Sequence, residues 1–166
     1  VDDIELTGHP GTGTRTRVPD VIGLLARLTL GVVLIVAGGL KVTSPANSAR
    51  AVRAFQILPY DLAGYVGYAL PVVEIVVGLL LVIGLFSRPA ALVGGLLMLA
   101  FIIGIASAWR RGLAIDCGCF GGGGTIGASQ TQYGRDILRD VGLVACAAWL
   151  VVRPGTPYSF DHRLFG

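Results

Sequence analysis

Charge is what this sequence has least of. Asp, Glu, Lys and Arg make up 14% of its 166 residues and 54% are hydrophobic, whereas a soluble globular domain carries roughly 25% charged residues. A chain this short has no polar elements with which to wrap so much apolar sequence as a soluble core. The net charge of +3 is small and scattered, which excludes the basic surface of a nucleic-acid binder. Histidine is scarce too: His9 and His162 both sit in polar terminal stretches. A closed zinc site, which wants four ligands drawn mainly from Cys and His, is therefore out of reach within one chain.

What is present is apolar sequence in long blocks. Residues 21–42 hold one charge, Arg27, before Lys41 closes the block; 62–86 hold one acid, Glu74; 90–109 hold none. Each is long enough to cross a bilayer as a helix, which takes roughly 20 residues. A fourth block, 141–152, becomes long enough if its helix begins near Tyr133. These blocks predict an all-α integral membrane protein: a four-transmembrane-helix bundle with spans at about 21–42, 62–86, 90–109 and 133–152. Polar tails at 1–18 and 154–166, read as disordered, flank a membrane domain at 19–153. The first block is too long for a signal-peptide core and reads as a retained span.

The connections differ in kind. Ser44-Pro45 is an N-cap followed by Pro at the first helical position. Ala49, Val52, Ile57 and Leu58 then recur at roughly helical spacing up to Pro59. That segment predicts a short amphipathic helix at the membrane interface. Ser87-Arg88-Pro89 is a tight turn that makes spans two and three antiparallel neighbours. Small residues at 100, 104 and 108, and at 142 and 146, form stripes suited to close helix packing. Arg15, Arg17, Arg27, Arg88, Arg153 and Arg163 fall on the terminal side, against Lys41, Arg50, Arg53, Arg110, Arg111, Arg135 and Arg139 on the other. Counting basic residues therefore does not orient the chain.

Arg27 and Glu74 are isolated charges inside apolar spans. At about 1.5 Å per residue they lie roughly 9 Å and 18 Å from the same side, within an arginine's reach of each other. Their pairing would fix helix register, or serve as a proton or ligand site. The fourth helix opens with "GRDILRD", which sets Arg135 and Arg139 on one stripe and Asp136 and Asp140 on the next. These charges either anchor the helix at the interface or set the potential felt by nearby thiols.

Those thiols are in "DCGCFGGGG" (116–124). Alternate cysteines sit near the upper limit of disulfide geometry, and Gly118 eases closure of Cys117 on Cys119. Such a ring is easily reduced, which suits exchange chemistry. The glycines that follow would let the pair swing toward a partner. Two other readings stand beside this one: inert loop thiols, and a two-coordinate soft metal such as Cu(I). Cys146, well down the fourth helix, reads as a small core residue.

The motifs "GGLK" (38–41), "LPVVE" (70–74), "CGCFG" (117–121) and "GRDILRD" (134–140), in this order and spacing, resemble the MauE branch of the DoxX-like membrane proteins of bacteria. The likeness runs from about 19 to 152. It implies a four-helix membrane protein; MauE itself is associated with methylamine utilisation, where it assists maturation of a periplasmic, disulfide-rich dehydrogenase, and the resemblance carries over the fold and the cysteine pair rather than that pathway. Carried over, Cys117 and Cys119 become the exchange pair on the extracytoplasmic side, where disulfides persist; Asp116, Gly118, Arg135 and Arg139, read from their place beside the thiols, are the expected supporting residues. The termini are then cytoplasmic.

The function expected is a membrane thiol–disulfide redox protein, as an enzyme a thiol–disulfide oxidoreductase. It would relay equivalents to a thioredoxin-like or disulfide-containing extracytoplasmic partner, with a quinone as the candidate cofactor and lipid around it. One rival is a non-catalytic subunit or assembly factor that contacts other membrane subunits of a respiratory or redox complex. Another is a small-molecule binder or transporter built on Arg27 and Glu74.

Overall fold

The computed structural model describes residues 18–118, 120–127 and 131–153. Of the two tails expected to be disordered, Val18 is described and opens α1; the rest lies outside these residues, as does Cys119. Five helices follow one another: α1 (Val18–Val42), α2 (Pro45–Ala54), α3 (Tyr60–Ile83), α4 (Ser87–Arg110) and α5 (Tyr133–Val152). Three of them, α1, α3 and α4, are long and apolar enough to cross a membrane. The helix expected as a fourth span is present at 133–152, but Arg135, Asp136, Arg139 and Asp140 crowd its first half and keep it out of that class.

The distribution of polarity is that of a protein dissolved in lipid. Leu25, Val32, Val36, Val72, Val76, Leu92, Leu96 and Ile103 are exposed, while Arg27, Lys41, Glu74 and Asp140 are buried. In water the large exposed apolar surface would be unfavourable. In a bilayer it is the expected exterior, and charge belongs inside the bundle.

Glycine sets how closely the helices approach. A Cβ on Gly31 would stand 3.0 Å from the carbonyl oxygen of Gly78, and one on Gly38 would stand 2.7 Å from that of Pro71. The backbones of α1 and α3 therefore touch, antiparallel, along a face that carries small residues seven apart. A Cβ on Gly95 of α4 would stand 3.0 Å from the Ala147 Cβ of α5. The stripes expected to pack do not do so uniformly. Gly104 lies against Phe55, but Ala100 is exposed and Gly142 has open space around it. Spacing identifies a small-residue face without saying which neighbour covers it.

The turn between spans two and three falls earlier than expected. Gly84, in the left-handed region, donates to Leu81 O (3.1 Å) while Leu85 donates to Leu80 O (3.0 Å), the paired bonds of a Schellman end. Ser87, Arg88 and Pro89 already belong to α4.

The helix expected at the interface is found, but shorter, and its buried face is turned to protein. It stops at Ala54, leaving Ile57 and Leu58 exposed beyond it. Ser48, Ala49 and Ala51 are its buried residues, and Ser48 Oγ donates to Gly67 O of α3 at 2.7 Å. The connection between α4 and α5 departs from an all-helical chain. It carries a two-residue antiparallel ladder, β1 (Ile115–Asp116) with β2 (Gly124–Thr125), because Gly118, Gly121, Gly123 and Gly124 all take positive φ and turn the chain back.

Candidate functional site

Both the α1–α3 connection and the β1–β2 hairpin lie at one end of the bundle, and Asp116, Cys117, Gly118 and Arg139 gather there, whereas Arg27 lies toward the other end. A cavity of about 310 Å³ opens between the hairpin and the start of α5. Asp116, Cys117, Phe120 and Gly122 line it from the loop, and Gln132, Asp136 and Arg139 from α5. Cys117 is half-buried and packs on a small apolar cluster of Ile105, Ala108, Ile115 and Tyr133.

Two side chains hold this loop in shape. The Tyr133 hydroxyl accepts from Ile115 N–H at 2.9 Å and donates to Leu113 O, tying the start of α5 to β1. The Asp116 carboxylate accepts from Gly118 N–H at 3.0 Å, a short Asx-type turn around Cys117. The glycines then let the loop lie flat on its neighbours. A Cβ on Gly118 or Gly123 would stand 2.6 or 2.4 Å from the Ala51 Cβ of α2, and one on Gly121 would stand 3.1 Å from the Leu40 Cβ of α1. Sequence reasoning gave these residues to a swinging hinge. In the folded chain they serve close packing, since only a residue without a side chain fits between the loop and two helices.

The supporting arginines separate. Arg139 reaches across its own helix to Asp140 Oδ1 (2.8 Å) and Asp136 Oδ1 (3.3 Å), with its guanidinium 4.9 Å from the Phe120 ring centroid. Arg135 points elsewhere, to Gln132 Oε1 at 3.3 Å, and stays exposed. The Arg139 guanidinium is thereby shared between two carboxylates at the edge of the cavity.

Deeper in the bundle, the pairing expected between Arg27 and Glu74 is replaced by another. Glu74 Oε1 accepts from Lys41 Nζ at 2.5 Å, with the two side chains 0% and 3% exposed. Register explains the change. Gly31 faces Gly78 and Gly38 faces Pro71, so Arg27 stands level with the end of α3, roughly 12 Å along the axis from Glu74. By the same register Lys41 is level with residue 68 of α3, roughly 9 Å from Glu74 on its other side and nearer than Arg27. Lys41 lies near the end of α1, but its Cα–Cβ bond tilts toward the helix N-terminus, back into the bundle. There its ammonium also sits 5.0 Å from the Phe101 ring centroid.

Sequence reasoning did not single out Phe120, Gln132 or Tyr133, and it left Asp140 at the interface. The structure buries Asp140 to 1% exposure. A stronger signal lay in the helical wheel: Asp140 shares a face with Tyr133, Leu143, Ala147 and Leu150, all buried. Among the described residues no three or more His, Cys, Asp or Glu side chains are gathered as a metal would need. An apolar groove between α4 and α5, lined by residues such as Leu92, Leu96, Ala148 and Val151, lies at the opposite end of the bundle from Cys117.

The fold and these sites define a class: a small helical membrane protein with charges inside its bundle and a cysteine-bearing loop closing one end. The family described as Methylamine utilisation protein MauE matches residues 19–153, and the chain belongs to that family. No curated protein and no solved structure matches it.

Proposed function

We propose that this chain is a four-span thiol–disulfide redox protein, with α5 as its fourth span, whose Cys117 and Cys119 exchange disulfides with an extracytoplasmic partner. The observation that carries this reading is the placement of Cys117 in a cavity open to solvent at one end of a membrane bundle. The cysteine loop faces the extracytoplasmic side and the termini face the cytoplasm.

The chemistry is exchange between two pairs and balances within them. A partner thiolate attacks the Cys117–Cys119 bond, which breaks as the mixed disulfide forms and the second cysteine leaves as a thiolate. The partner's other thiolate then displaces the remaining cysteine. The partner ends oxidised by two electrons and the pair ends as a dithiol, taking up the two protons the partner's thiols gave up. The reverse sequence reduces a partner disulfide. Neither direction is routed through a quinone, and the apolar groove between α4 and α5 would not bring one to Cys117.

Thiol trapping in intact cells with a membrane-impermeant maleimide tests this. Both cysteines should label only after mild reduction and should reoxidise when reductant is removed. Labelling without reduction, or none after it, overturns the reading. The docking of the glycine loop on Ala51 and Leu40 favours a second reading, in which the loop is a fixed contact surface of an assembly factor. In that case serine at both cysteines would leave partner maturation intact.

A further inference from the structure

Beneath the cavity lies a set of ionisable groups that thiol exchange does not use. Glu74 from α3 and Asp140 from α5 are 0% and 1% exposed. Lys41 from α1 binds the first and acts electrostatically on the second. Each carboxylate is satisfied at one oxygen only: Glu74 Oε2 and Asp140 Oδ2 have no hydrogen-bond partner among the described residues, since both contacts from Arg139 to Asp140 end on Oδ1. A void of about 10 Å³ adjoins Asp140, and Phe120 and Arg139 line both this void and the cavity that holds Cys117. That is about the room one water needs.

The charges do not balance as ions. Among the described residues, Glu74, Asp140 and the half-buried Asp136 pair only with Lys41 and Arg139, while α4 lines the same region with Met98 and Phe101. Arg27 stands about two helical turns from Glu74, on the level of the end of α3. One negative charge is in excess, and a buried carboxylate with an unpaired oxygen is costly when ionised. A protonated carboxyl removes the excess charge and gains an O–H donor that a single water can accept.

We propose that Glu74 and Asp140 form a proton-binding site. They hold one proton between them around Lys41 at neutral pH and exchange it with cavity water past the Arg139–Phe120 partition. The site stands independently of the disulfide reading.

Infrared spectroscopy of the purified full chain in lipid, in H2O and D2O at neutral pH, tests it. The wild-type protein should show the carbonyl band of a protonated carboxylic acid, shifted in D2O. The band should vanish in Glu74→Gln and in Asp140→Asn, because neutralising either acid lets the other keep its charge. It should persist in Asp61→Asn, an exposed control, and in the Cys117→Ser/Cys119→Ser double variant, which separates this site from the thiol reading. No such band in the wild-type protein overturns the proposal even if a variant fails to fold, and so does its survival in either carboxylate variant.

Discussion

Lys41→Met should destabilise the protein severely, and removal of its partner as well should restore much of the loss. Lys41 Nζ is 2.5 Å from Glu74 Oε1, both side chains are almost fully buried, and Glu74 Oε2 is already without a partner. Methionine fills most of the lysine volume, so the change isolates the charge. It leaves a carboxylate with no bonded oxygen in a low-dielectric interior, a situation that costs about 3–5 kcal/mol when one member of a buried pair is removed. At about 1.4 kcal/mol per factor of ten, the folded-to-unfolded ratio drops by roughly two to three and a half orders of magnitude. Lys41→Met/Glu74→Gln removes the stranded charge and should recover most of that, because a neutral pair of similar volume is often close to neutral in effect. The assay is the unfolding midpoint of purified protein in mixed micelles under rising denaturing detergent, followed by far-UV circular dichroism, for wild type, both single variants and the double variant. A Lys41→Met cost under about 1 kcal/mol would mean the pair is wetter than its burial implies. A double variant no better than Lys41→Met alone would refute the argument that the stranded carboxylate is the cause.

Two further predictions test packing. Gly78→Leu should lose about 1–3 kcal/mol or more, since its Cβ would fall 2.7 Å from the Gly31 carbonyl oxygen, whereas Gly142→Ala, in open space, should be neutral or slightly stabilising; the same detergent titration reads both. Tyr133→Phe should leave the Ile115 N–H and the Leu113 carbonyl without their hydroxyl partner, at about 1–3 kcal/mol for the buried groups. Its effect should be local, seen as faster hydrogen exchange at residues 113–118 with α1 and α3 unchanged.

The membrane environment and the helical parts were legible in the order of residues. Hydropathy is summed residue by residue, so three apolar helices could be read directly, along with the cysteine loop and the family that the motif order resembles. The polar first turns of α5 were legible too, because a charge is visible in any context. Tertiary structure alone decided which charges meet. Helical periodicity gives the face a residue occupies but not the axial offset between two helices. That offset was set by backbone contact at Gly31–Gly78 and Gly38–Pro71. It moved Glu74 away from Arg27 and onto Lys41. The role of the glycines in the cysteine loop was likewise undecided by composition, because a residue with no side chain allows both free motion and close approach. The proximity of Ala51 and Leu40 selects close approach, since only their position leaves no room for a Cβ.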